Sequence, residues 1–258
     1  MSKVQPTTES LHFGAIVNEH RELAKMTRAQ LASKFPVSPS YIGRTIKGTT
    51  RCSYENAEKL DELLNACGHI TDAWKKLNSG FPAYYQDFQA KEATASLLRT
   101  YSLLLVDGLF QTKEYAFELL RDDKAVANRL KRQEVLQRIP TPMFCLVLDE
   151  GVLYRRIGSK ETMREQLQHL VEVSQRDGVF VQIAPFAYHR GARSSFSIAT
   201  QGDDSSTVYI EKTTNGETTT LPAQIGESVR VFARLQSQSL SPNATRDLLR
   251  KAIEEKWT

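Results

Sequence analysis

The chain has 258 residues, with 34 Lys+Arg against 30 Asp+Glu, a net charge of +4, 40% hydrophobic residues and a mean hydropathy of -0.41. That length allows two modest domains with cores of their own. No apolar run approaches the roughly 18 residues that a membrane helix needs, and Lys3 and Glu9 near the start argue against a secretory leader. Cys52, Cys67 and Cys145 are odd in number, widely spaced and without a CxxC pair. They argue against a disulfide framework or zinc site and predict inert thiols in a reduced, cytoplasmic setting.

In chain order, Leu11, Ile16, Val17, His20 and Leu23 fall on one stripe and predict a helix over 11–24. Thr27 stands where an N-cap belongs, and Arg28–Phe35 predicts a short second helix. Pro36 and Val37 make a turn. Ser38 then caps a third helix, with Pro39 at its first position, Lys47 near its end and Gly48 as its stop. Ile42 and Ile46 point inward, leaving Ser38, Ser40, Tyr41, Gly43, Arg44 and Lys47 outward. Ser53 caps a fourth helix ending at Gly68, and a fifth covers 71–77. Between Lys25 and Arg51 the chain carries Lys25, Arg28, Lys34, Arg44, Lys47 and Arg51 but no Asp or Glu, and acids return in Glu55, Glu58, Asp61 and Glu62. One face is therefore expected to suit a phosphate backbone.

Arg21, the Met26–Ala32 run, Ser38, Tyr41-Ile42, Gly48 and the Leu60–Leu64 helix resemble the phage-repressor (Xre-type) helix-turn-helix family, with Pro36 in place of the usual turn glycine and Lys47 in place of a polar or acidic residue. The resemblance implies an all-α five-helix helix-turn-helix bundle over 1–78. It implies that Ser40 and Arg44 meet base edges, and that Arg28, Ser38, Lys47 and Arg51 hold phosphates. Tyr41 would lie on a sugar or thymine methyl. One such unit contacts too few base pairs for tight binding, so a homodimer on a double-stranded DNA operator is expected.

Residues 79–89 read as a linker. A helix is predicted from Phe88 through Ala93, Leu97, Leu98, Tyr101, Leu104 and Leu105 to a break at Gly108, then further helices from the Thr112 cap to Pro140. Strands are predicted at 143–148, 179–183, 195–200 and 206–211, with helices at 149–150 onward, 161–175, 222–239 and 242–256, which makes 90–258 a mixed α/β domain with flanking helices. The stretches Gly108–Ala116, Arg129–Gln133, Val147–Glu150, Arg164–Leu167, Val181–Phe186 and Val208–Glu211 resemble the antitoxin-like C-terminal domain of WhiJ-like actinomycete regulators, with Asp107 where that family has proline. That resemblance implies a regulator of developmental or toxin–antitoxin-like genes, modulated by a small cognate protein encoded nearby.

Chemistry finds little support. Asp149 and Glu150 follow a strand but suit a helix start. His189-Arg190 is expected in a surface loop, either simply solvated or as an anion or partner contact rather than a catalytic pair, and no Walker, GxSxG or HExxH pattern is present. No catalytic residue, cofactor or metal is expected. Two rival readings stand beside the partner-modulated regulator: a small-molecule-responsive repressor, and a nucleic-acid-processing enzyme using Asp149, Glu150 and Glu211.

Overall fold

The computed structural model describes residues 6–34, 37–50, 52–77, 83–213 and 216–258. The chain divides into two compact units, Met1–Gln86 and Asp87–Thr258.

The first unit is all helical: α1 Thr8–Leu23, α2 Arg28–Ala32, α3 Pro39–Ile46, α4 Tyr54–Leu63 and α5 His69–Leu77. Side chains satisfy the orphan amides at four of these starts. Thr7 with Ser10 and Thr27 with Gln30 form reciprocal capping boxes, while Ser38 and Ser53 accept from the amides of Tyr41 and Asn56. Asp61 serves the fifth from a distance, accepting from the amides of Gly68 (2.7 Å), Ile70 (2.8 Å) and Thr71 (3.0 Å). Burial raises its pKa, but these backbone donors outweigh that and hold the carboxyl below its ordinary range.

Phe13, Val17, Leu31, Ile42, Leu60 and Ile70 lie at the centre of this unit's core. The inward stripe of α1 is thus rotated from the predicted one, for Leu11 is 48% and Leu23 71% exposed. Gly14 explains the choice of face: a Cβ there would sit 2.2 Å from the Ile46 carbonyl oxygen, so the α1 backbone rests directly on the end of α3. The fourth helix stops at Leu63 rather than Gly68, because Asn65, Cys67 and Gly68 all take positive φ. Regular α2 ends at Ala32 rather than continuing to Phe35, with Ser33 as its C-cap and Lys34 in a turn; Phe35 and Pro36 themselves lie outside the described residues.

The second unit is a mixed α/β domain. Helix α6 (Ala83–Glu92), which begins in the last residues of the first unit and ends in the second, takes most of the expected linker. The predicted helix through Leu105 is then overturned: Leu97–Ser102 is strand β1, central in a six-stranded sheet of order β3-β2-β1-β4-β5-β6. β2 (Met143–Asp149) and β3 (Val179–Ala184) run parallel to it, and β4 (Phe196–Thr200), β5 (Ser206–Glu211) and β6 (Gly216–Thr219) continue antiparallel. The short β6 carries no strand pattern of its own. Helices α7 (Lys113–Leu120), α8 (Asp123–Arg132), α9 (Gly151–Tyr154), α10 (Lys160–Val173), α11 (Pro222–Gln238) and α12 (Pro242–Lys256) flank the sheet. On one face, Tyr101, Val147, Ile198 and Val208 pack under Val231, Phe232 and Leu235 of α11. On the other, Phe144 meets the Phe110 ring edge-on at 6.0 Å. Among the described residues no helix is long and apolar enough to cross a membrane.

In the first unit, Gly14→Ala should lower the urea midpoint, because the obstruction is backbone: overpacking costs about 1–3 kcal/mol, at its upper end here, against a helix-propensity gain of about 1 kcal/mol. Asp61→Ala should lose about 1–2 kcal/mol at neutral pH. A depressed carboxyl pKa stabilises only the ionised form. The difference between wild type and variant should therefore be largest above the ordinary carboxyl value of about 4 and shrink as pH falls through the lowered value, which urea titrations across pH would read.

Candidate nucleic-acid interface

The short helices α2 and α3 pack together, and α3 is held against α1 through Gly14 and through Ser10, whose hydroxyl donates to the Gly48 carbonyl at 3.0 Å. Gly48 makes this possible with a φ of +65°, since a Cβ there would meet Ser10 Oγ at 2.6 Å. Ile42 and Thr45 face the core, leaving Ser40, Arg44 and Lys47 exposed.

Contacts order part of this exposed face. Arg44 Nη1 donates to Ser40 Oγ at 2.8 Å, one turn away, which braces the guanidinium along the helix. Arg28, at the start of α2, reaches across Gly43: a Cβ on that glycine would lie 3.7 Å from Arg28 Nη1. Lys47 stands exposed at the helix end. Ser38 is committed, its hydroxyl accepting from the Tyr41 amide at 3.1 Å.

Tyr41 has a different part. It is half-buried against the core, its hydroxyl accepts from Asn56 Nδ2 of α4 at 2.9 Å, and burial raises its pKa above the ordinary phenol value. It ties α3 to α4, which spacing alone did not reveal. The exposed face of α2 and α3 therefore carries Arg28, Ser40, Arg44 and Lys47, with Ser38 capping and Tyr41 bracing. Arg51, expected beside them, lies outside the described residues. Sequence reading missed Asn56 and Gly14; a glycine in mid-helix was the available signal for the latter.

In the second unit the candidate polar residues are engaged structurally. Asp149 Oδ1 accepts from the Gly151 amide at 2.9 Å, and Glu150 Oε2 from the Phe186 amide at 3.0 Å. His189 is 7% exposed, with Nδ1 3.1 Å from Gln238 Oε1 and Nε2 3.0 Å from the Pro185 carbonyl. That corrects its expected role as a loop contact for an anion or partner: its ring is turned inward and both nitrogens are occupied. Three of the stretches that suggested a regulatory domain meet in one polar knot. Gln133 Nε2 donates to the carbonyls of Gly108 and Gln111, Arg129 Nη1 to Gln111 Oε1, and Gln166 Nε2 to the Phe110 carbonyl. Beside it, Arg132 grips the buried Glu92 in a two-pronged ion pair at 2.6 and 2.7 Å. Among the described residues no group of three or more His, Cys, Asp or Glu could hold a metal ion.

These features define a two-unit chain, a helical bundle with an exposed cationic face followed by a mixed α/β domain. Residues 85–251 match the family described as "Domain of unknown function (DUF5753)", and the chain belongs to that family. No curated protein and no solved structure matches it.

The two roles read for α3 separate experimentally. Tyr41→Phe should cost about 1 kcal/mol in unfolding free energy by removing the bond to Asn56, while leaving the exposed Arg44 and Ser40 unchanged. A variant of wild-type stability would contradict the bracing role.

Proposed function

We propose that this chain is a sequence-specific, double-stranded-DNA-binding transcriptional regulator that works as a homodimer in the cytoplasm, bound to the nucleoid through its first unit. Its second unit serves as a docking domain for a small protein partner. The observation that carries the reading is the exposed face of α3, where Ser40, Arg44 and Lys47 stand with Arg28. These residues belong to a segment that holds no Asp or Glu from Lys25 to Arg51.

Such a face meets the DNA backbone without like-charge repulsion. An arginine braced by a serine one turn earlier is well placed to exchange that bond for guanine O6 and N7. The resemblance of the first unit to phage-repressor helix-turn-helix proteins supports the same reading, and that of the second to antitoxin-like regulatory domains supports docking. A fusion of a DNA reader to a second folded unit suits a switch, because a partner bound to one unit can shift occupancy of the DNA by mass action.

Arg44→Ala should cost about 1–3 kcal/mol on the selected operator and relax preference at one base position. Lys47→Ala should weaken binding to all sequences alike and reduce the salt slope by about one. Both are read by fluorescence anisotropy across a salt series, on an operator obtained by in vitro selection. Equal losses on operator and random DNA for Arg44→Ala would remove it from base reading, and no selectable operator would overturn the function itself.

A further inference from the structure

One half of a sheet face in the second unit lies open. The strand registers pair Leu97 with Met143, Arg99 with Cys145, and Cys145 with Phe180, and on the other side Arg99 with Ile198. Alternation puts these side chains on the face that α11 covers. The cover is partial: Tyr101, Val147 and Ile198 are sealed beneath it, and Gln236 of α11 donates to Gln182 Oε1 at 3.2 Å. Beyond that point Met143 is 47% and Phe180 41% exposed, with Leu97, Arg99 and Cys145 half-buried between them.

Arg99 sits in this apolar surface without a counter-charge among the described residues. Its Nη2 donates to Thr200 Oγ1 at 3.0 Å, and its buried Nε has no partner among those residues. Burial pulls its pKa below the ordinary arginine value. The adjacent Cys145 thiol is pushed up by burial and stays neutral at pH 7, so it does not compensate. On this face the nearest strand carboxylates are remote. Asp149 is four residues along β2 from Cys145, about 13 Å at strand rise, and Glu217 is three strands away and paired with Lys212. Another half-buried arginine of the same unit, Arg132, meets a two-pronged carboxylate in Glu92.

We infer that this half-face is the docking surface for an apolar segment of a partner protein that carries a carboxylate, which pairs with Arg99 while its apolar neighbours cover Leu97, Met143 and Phe180. This deepens the docking role proposed above and is independent of DNA reading. A free carboxylate would neutralise Arg99 but leave Met143 and Phe180 wet. A second copy related by a two-fold axis through the patch would set Arg99 against Arg99. An acidic, apolar segment meets both the charge and the surface.

The test is selection of a random twelve-residue peptide display library on the full-length chain without DNA, followed by titration of the enriched peptides. Enriched sequences should carry Asp or Glu within an apolar run. Affinity should fall at least tenfold with Arg99→Gln, and as much when the peptide carboxylate becomes an amide. Should Arg99→Gln fail to fold, Phe180→Asp at an exposed position should weaken binding comparably while the melting temperature holds. No enrichment, enriched peptides without an acid, or equal binding to Arg99→Gln overturns the inference. So does a wild-type dimer that Phe180→Asp dissociates, which would make a second copy the occupant. Because no DNA is present, failure here leaves the DNA-binding reading standing, and failure of operator selection leaves this one standing.

Discussion

The first amides of every helix lack intrahelical acceptors, and each must find one before the helix can be buried at its start. In this chain the requirement is met mostly by a hydroxyl or carboxylate just ahead of the helix: Thr7, Thr27, Ser38, Ser53, Thr112, Asp122, Ser159 and Ser241 all accept from an amide within the first turn. Where the local side chain is missing, a distant one substitutes, as Asp61 does for α5. The caps do more than start helices. Ser38 fixes where α3 begins, and so which of its residues face the core and which face outward.

The same constraint explains how much could be read in advance. Thr27, Ser38, Ser53 and Thr112 mark helix starts in the sequence, and the structure begins α2, α3, α4 and α7 one residue after each. Helix α6 carries no such mark, and its first residues read as linker. β1 failed for another reason. Its apolar residues also fit a helical stripe, and the choice between period 3.6 and period 2 is made by partners far away in sequence: β2 on one side and β4 on the other. Local pattern cannot weigh bonds between residues 97–102 and residues 143–148 or 196–200.

Site residues divide along the same line. Arg44, Ser40 and Lys47 could be placed outward because three-residue and four-residue spacings suffice to separate them from Ile42. Tyr41 could not, since its hydroxyl is claimed by Asn56, fifteen residues on and in another helix. His189 is a stronger case: its hydrogen-bond partners lie on Pro185 and on Gln238, and only the fold brings them together around one ring.

Buried charge gives the last step. A guanidinium withdrawn from water is tolerated when a carboxylate meets it and costs free energy when none does. Arg132 follows the first pattern, in a knot built from residues that bind α6, α8 and the 106–111 segment. Arg99, half-buried on a central strand, follows the second among the described residues, with Thr200 and no carboxylate beside it. A fold that supplies a partner for one arginine shows that it can do so. Among the described residues Arg99 meets no carboxylate beside exposed Met143 and Phe180, and that contrast with Arg132 is what the docking surface inferred above would answer.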